Sequence, residues 1–206
     1  MNKYVLFDFD GVIADSLNNG YIAQKVTCPN ITIDNYQNFF TGNINDFEKH
    51  SVHDDKCNHE IDYFIEYGRG LLNDVKVFPG MTDALKNLSE KYKMVVISST
   101  KTDLIRDFMT KHNIRHFFGE ILGNDVHKSK VEKIKMVMVN NDLKQEDCLF
   151  ITDTLGDLIE AEKAGVGSIA VTWGFHSEDF LLKGNYYKIL DEVADLEPTV
   201  DNYFKR

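Results

Sequence analysis

Short apolar runs, each too brief to be a helix, alternate along this chain with stretches of helical periodicity. Tyr4-Val5-Leu6-Phe7 comes first. From about residue 78 onward, Met94–Ile97, Ile121-Leu122, Cys148–Ile151 and Ser168–Thr172 read as further strands. Between them, Thr82–Tyr92 sets Ala84, Leu85 and Leu88 on one face after Pro79-Gly80, and a second helix runs through Leu104, Ile105, Phe108 and Met109. Val131–Val139 and Leu158–Ala164 complete the helical set, the last closed by Gly165. Strands alternating with helices predict an α/β fold, a parallel sheet covered on both faces. Ligands of such sheets bind at the carboxyl ends of the strands.

Those ends are where this chain keeps its polar groups. Asp8 and Asp10 follow the first run, and alternate positions of a strand point to one side. Ser98-Ser99 follows Met94–Ile97, and the acidic turn Asp153-Thr154-Leu155-Gly156-Asp157 follows the third long run. Carboxylates and hydroxyls at one sheet edge fit phosphoryl transfer. A carboxylate attacking phosphorus forms an acyl phosphate and divides one hard displacement into two easier ones. Two anions repel, so Mg2+ is expected to bridge nucleophile and phosphate. Asp8 is the candidate nucleophile. Asp10 is the candidate acid and base, which requires a pKa above the free value of about 3.9. Asp153 is the natural further metal ligand, and Asp157 an acid supporting the metal waters or a lysine. Ser98 can hydrogen-bond a phosphoryl oxygen, and Lys128 or Lys130 can balance its charge.

Composition narrows the partners. The formal net charge of −10 argues against sequence-independent nucleic-acid binding, which needs a basic face, and would repel a phosphate unless a cation and local lysines reverse the sign inside the site. No apolar stretch approaches the roughly 20 residues of a membrane-spanning helix, and Lys3 precedes a short strand rather than a signal-type apolar region. Cys28, Cys57 and Cys148 have no metal-type spacing, which predicts reduced thiols and a cytoplasmic protein. Residues 15–77 break the rhythm, being rich in Asn, Asp and aromatics, and read as short helices that include Ile61–Leu72. They are expected to form a small helical cap over the site, inserted into a core of residues 1–14 and 78–206.

Asp8-Phe9-Asp10-Gly11-Val12-Ile13-Ala14-Asp15-Ser16 resembles the first motif of the haloacid dehalogenase-like hydrolase superfamily, in its phosphatase branch. The resemblance continues through Phe78-Pro79-Gly80-Met81, Ile97-Ser98-Ser99, Gly123-Asn124-Asp125 with the lysines after it, and Ile151-Thr152-Asp153-Thr154-Leu155-Gly156-Asp157. Ala161–Val166 and Val171-Thr172-Trp173-Gly174-Phe175 extend it to roughly two-thirds of the chain. The layout is similar to that of phosphoglycolate phosphatases, with a helical cap after the first motif and a Rossmann-like core. The resemblance implies that Asp8 is phosphorylated and that Asp10 is the acid/base, its main-chain carbonyl also binding Mg2+. It likewise makes Ser98 the motif-two hydroxyl, Asp153 a metal ligand and Asp157 its supporting acid. Two positions depart from the pattern. No proline follows Lys128 or Lys130, and spacing to Ile134 favours Lys130; Thr152 stands where relatives often carry glycine.

Other features have plainer readings. Ser98 and Ser99 can cap the helix beginning near Thr102, which is compatible with phosphate binding. His50, His53, Cys57 and His59 fit no zinc pattern and read as a polar cap surface, while Tyr21, Phe39, Phe40 and Tyr63 read as the cap's own core. The expected protein is therefore a Mg2+-dependent phosphomonoester hydrolase for a small phosphorylated metabolite, a monomer or weak homodimer. A phosphosugar mutase or a non-catalytic phospho-ligand-binding module is the alternative.

Overall fold

The computed structural model describes residues 2–44 and 74–206. The reading of Ile61–Leu72 as a helix, the histidines at 50, 53 and 59, Cys57 and Tyr63 lie outside the described residues. In chain order the elements are β1 (Tyr4–Phe7), α1 (Leu17–Thr27), α2 (Ile33–Asn38), α3 (Met81–Ser89), β2 (Lys93–Ile97), α4 (Thr102–Lys111), β3 (Glu120–Leu122) and α5 (Lys130–Asn140). Then come β4 (Cys148–Thr152), α6 (Leu155–Ala164), β5 (Gly167–Val171), α7 (Glu178–Leu181), β6 (Lys188–Leu190) and α8 (Leu196–Phe204).

The strands form one parallel sheet in the order β3-β2-β1-β4-β5-β6. β1 is central, which is why its four residues are all apolar and all buried. Alternation divides them between two cores: Val5 and Phe7 pack with α3, α4 and α8, while Tyr4 and Leu6 pack with α5 and α6. The sheet order reverses at β1, where β2 lies on one side and β4 on the other. In open parallel sheets ligands bind beyond the carboxyl ends at such a reversal.

The strand–helix rhythm predicted this architecture, with differences at the ends. α6 starts at Leu155, one turn before the expected Leu158, because the Thr154 hydroxyl accepts the Asp157 N–H (3.3 Å) and caps the helix there. Asp157 thus lies in the first helical turn. Gly165 closes α6 at φ 80°, a left-handed conformation that glycine adopts without a Cβ penalty. β6 was not anticipated, since Lys188-Ile189-Leu190 is too short to carry a period. The tail folds as α8 and buries Leu196 and Val200.

The two ends of the expected 15–77 insertion meet at one place. Asp15 N–H donates to Lys76 O (2.9 Å), Phe78 N–H to Ile13 O (3.1 Å), and Ala14 bridges Val77. Its described part holds α1, α2 and a tight turn over Phe39–Thr41. Tyr36, Cys28 and Ile31 make a small core with Tyr21, Phe39 and Phe40, as expected of the latter three, but this core also takes in Phe175 from beyond β5. The Phe40 and Phe175 rings meet edge to face at 4.8 Å. Cys148 is a free, buried thiol, whereas Cys28 is disulfide-bonded. The expectation of reduced thiols therefore fails at Cys28, because pairing depends on which sulfurs the fold brings within reach, not on spacing.

Candidate active site

Asp8 stands at the end of β1. Its N–H donates to Ile151 O (2.9 Å), so the ladder to β4 runs one residue past the strand and fixes the carboxyl at the sheet edge. Asp8 Oδ1 accepts from Phe9 N–H (2.7 Å) and lies 2.9 Å from Lys130 Nζ. The same ammonium is 2.6 Å from Asp157 Oδ2, which also accepts from the Thr152 hydroxyl (2.7 Å). Asp8, Lys130 and Asp157 are all buried. A single lysine at the start of α5 thus joins the end of β1 to the first turn of α6.

The register of α5 decides which lysine does this. The Ser129 hydroxyl accepts the Glu132 N–H (3.5 Å), and buried Glu160 accepts from Lys130 N–H (3.0 Å) and the Ser129 hydroxyl (3.2 Å). Helix N-termini favour such acceptors and carboxylates. Pinned in this way, Lys130 enters the cluster while Lys128 stays exposed on the preceding turn. The spacing argument favoured the same residue.

Burial pushes the Asp8 carboxyl well above its usual range, Lys130 works against this, and the Asp157 and Asp153 charges raise it further. Burial likewise pushes Asp153 up to about 7, against the hydrogen bond its Oδ2 accepts from Phe175 N–H (2.7 Å). For Asp157 burial also raises, but Lys130 and the hydrogen bonds prevail and hold the carboxyl low. Burial would lower the Lys130 ammonium, and its two carboxylate partners outweigh that and raise it.

Asp10 is partly exposed and points elsewhere. Its Oδ1 accepts from the Ser16 hydroxyl (2.8 Å) and its Oδ2 from the Thr100 hydroxyl (2.6 Å). Desolvation raises its pKa despite both bonds. Ser98 is fully buried at the end of β2, and its hydroxyl accepts from Thr100 N–H (2.9 Å); Ser99 is partly exposed. Thr100 therefore connects the hydroxyl end of β2 to Asp10.

Among the described residues no three His, Cys, Asp or Glu side chains form a ready-made metal cluster. Each Asp10 carboxylate oxygen already accepts one hydroxyl, from Ser16 and from Thr100. Asp153 Oδ1, by contrast, is buried with no hydrogen-bond partner. Two glycines crowd this carboxyl: a Cβ on Gly11 (φ +76°) or Gly174 would collide with Asp153 Oδ2.

Several residues of this neighbourhood escaped the sequence reading. Ser16 and Thr100 are ordinary loop hydroxyls in sequence. Glu160 and Lys133 gave a usable signal, since each is a charge on the apolar stripe of its helix. His176 accepts Leu155 N–H at Nδ1 (3.0 Å) and meets Gln37 O at Nε2 (2.9 Å), tying the start of α6 to the insertion.

A sequence profile described as haloacid dehalogenase-like hydrolase matches residues 5–171. The chain belongs to the haloacid dehalogenase-like hydrolase family. Among curated proteins of this kind, phosphoglycolate phosphatase 1 of Pseudomonas aeruginosa is 26% identical over 130 residues, 61% of this chain and 48% of that one. A 5'-nucleotidase of the same organism is 30% identical over 138 residues, 64% of this chain and 62% of its own length. The chain thus spans about half of the first relative and three-fifths of the second. Among solved structures, a haloacid dehalogenase-like family hydrolase from Streptococcus pneumoniae superposes with a TM-score of 0.83 at 21% identity, covering 97% of this chain and 98% of that one. A predicted phosphatase from Clostridium acetobutylicum gives 0.84 at 24% identity, covering 98% and 99%. These structures share the family fold.

Proposed function

We propose that this haloacid dehalogenase-like protein is a Mg2+-dependent phosphatase that hydrolyses a small phosphate monoester through a phosphorylated Asp8. The observation that carries the reading is the Asp8–Lys130–Asp157 ion-pair chain beside the unpartnered Asp153 oxygen. Among the described residues, four buried carboxyls, Asp8, Asp153, Asp157 and Glu160, accompany two buried ammonium groups, Lys130 and Lys133. With all of them ionised, the deficit equals one divalent cation, and buried charge without compensation is costly. An all-oxygen set of Asp8, the Asp10 carbonyl and Asp153 suits Mg2+, which keeps some of its waters. Bound there, Mg2+ would supply charge neutralisation between the carboxylate and the phosphoryl group.

The chain's own groups take the remaining roles. Asp8 attacks phosphorus with the oxygen not held by Phe9 N–H. Lys130 offsets the charge on the transferring group while keeping its bond to Asp157. Ser98, or the partly exposed Ser99 next to it in the chain, donates to a phosphoryl oxygen. Asp10 delivers its proton to the departing oxygen and then takes one from the attacking water, roles that its raised pKa favours. Residues 15–77 act as the cap that excludes bulk water during attack. The relatives' names make phosphoglycolate and nucleoside 5'-monophosphates the first esters to try.

The test is phosphate release from p-nitrophenyl phosphate, and then from those esters, with Mg2+ and with EDTA, for wild type and Asp8→Asn. Activity that requires both Mg2+ and Asp8 is the expected result. An isomerised sugar phosphate in place of free phosphate would assign a mutase. Silence across the panel would leave a phospho-ligand-binding module.

A further inference from the structure

Lys133 is the one fully buried lysine in the described core that no step above uses. It lies one turn after Lys130 on α5, on the buried stripe with Ile134 and Val137, where packing alone would favour an apolar residue. Its Nζ donates to Ser98 O at 2.5 Å and reaches Gly123 O at 3.5 Å, strapping the end of β2 to the turn after β3. Ser98 N–H reinforces the same junction by donating to Leu122 O (3.1 Å). Beyond Ser98 the contacts continue in one direction. The Ser98 hydroxyl accepts Thr100 N–H, which leaves the hydroxyl proton available to a ligand, and the Thr100 hydroxyl donates to Asp10.

We propose that Lys133 is a positioning residue for phosphate recognition, holding the Ser98 carbonyl so that the Ser98 hydroxyl and, through Thr100, the Asp10 carboxyl keep their places. This rests on the phosphatase reading and deepens it. The ammonium also adds a second buried positive charge near the phosphate site of a strongly acidic protein. The charged groups acting on it are Lys130 on its own helix, Asp8 beyond β1, and Asp157 and Glu160 on α6. Burial first, and then the Lys130 charge, push its pKa down to about 8, so the charge is present at neutral pH and lost in mild alkali.

The experiment compares wild type with Lys133→Met and Lys133→Gln in two readouts from pH 6.5 to 9.5. One is kcat/KM for p-nitrophenyl phosphate with Mg2+; the other is the rise in unfolding temperature given by inorganic phosphate, which needs no turnover. Wild type should lose kcat/KM and phosphate stabilisation as pH rises through about 8. Either folded variant should fall about 10–100-fold in kcat/KM at pH 7, with a weakened phosphate shift and no inflection near 8. Folded variants that keep wild-type kcat/KM and phosphate shift, or an unchanged alkaline inflection, overturn the proposal. If neither variant folds, a wild type with no alkaline loss of phosphate stabilisation overturns it, and such a loss supports it. A wild type that binds phosphate in this Lys133-dependent way yet turns over no ester would sink the hydrolase reading alone.

Discussion

Replacing Lys130 with Met should both inactivate the protein and destabilise it. Lys130 is 4% exposed and touches Asp8 and Asp157 at 2.9 and 2.6 Å. Methionine preserves most of the volume, so the packing term is small and the loss is electrostatic: two buried carboxyls keep their desolvation without their partner. Breaking a buried pair in this way costs about 3–5 kcal/mol. Asp8 is already biased towards protonation, and taking up a proton relieves part of the strain, so the lower end applies. For a chain of this length about 3 kcal/mol corresponds to a fall of roughly 6–12 °C in unfolding temperature. Thermal unfolding in EDTA at pH 7.5, followed by circular dichroism, reads it directly. Lys128→Met is the comparison; an exposed substitution should stay within about 0.5 kcal/mol and cost far less activity. Adding Asp157→Asn to Lys130→Met should restore part of the stability, because it removes one of the stranded charges. A Lys130→Met midpoint within about 2 °C of wild type, or a larger effect from Lys128→Met, would refute the reasoning.

Other perturbations address different parts of the fold. Mg2+ at 100 times its Kd should stabilise wild type by about 2.7 kcal/mol in thermal unfolding, and Asp153→Asn should abolish the increment. Gly11→Ala should cost at least about 1 kcal/mol and most of the activity, since φ is +76° and the new Cβ would meet the Asp153 carboxyl and the Phe175 ring; equal activity in the variant would remove Gly11 from the account. His112 is depressed by burial and by Lys111, so its folded state binds fewer protons than the unfolded chain near pH 6.5. Its contribution is present above that pH and lost as pH falls, so from pH 7.5 to 5.5 the denaturant midpoint of wild type should fall relative to that of His112→Phe.

The chain's apolar pattern alone prescribes the sheet, because a buried parallel strand must be apolar on both faces and its helices must carry one apolar stripe. Tyr4–Phe7 and Cys148–Thr152 satisfy the first condition, and Met81–Ser89 and Thr102–Lys111 the second. It also determined that Asp8, Ser98 and Asp153 would gather at one edge, since each follows a strand and parallel strands share a carboxyl end. The spacing to Ile134 pointed to Lys130, but two lysines two residues apart differ in sequence only by register. Tertiary structure decided between them, through a carboxylate from another helix, Glu160, that receives the Lys130 N–H. The Thr100–Asp10 and Lys133–Ser98 bonds are likewise tertiary, spanning 90 and 35 residues of chain. Periodicity reports which face a residue lies on; only the packed fold decides which distant partner its polar atoms meet there.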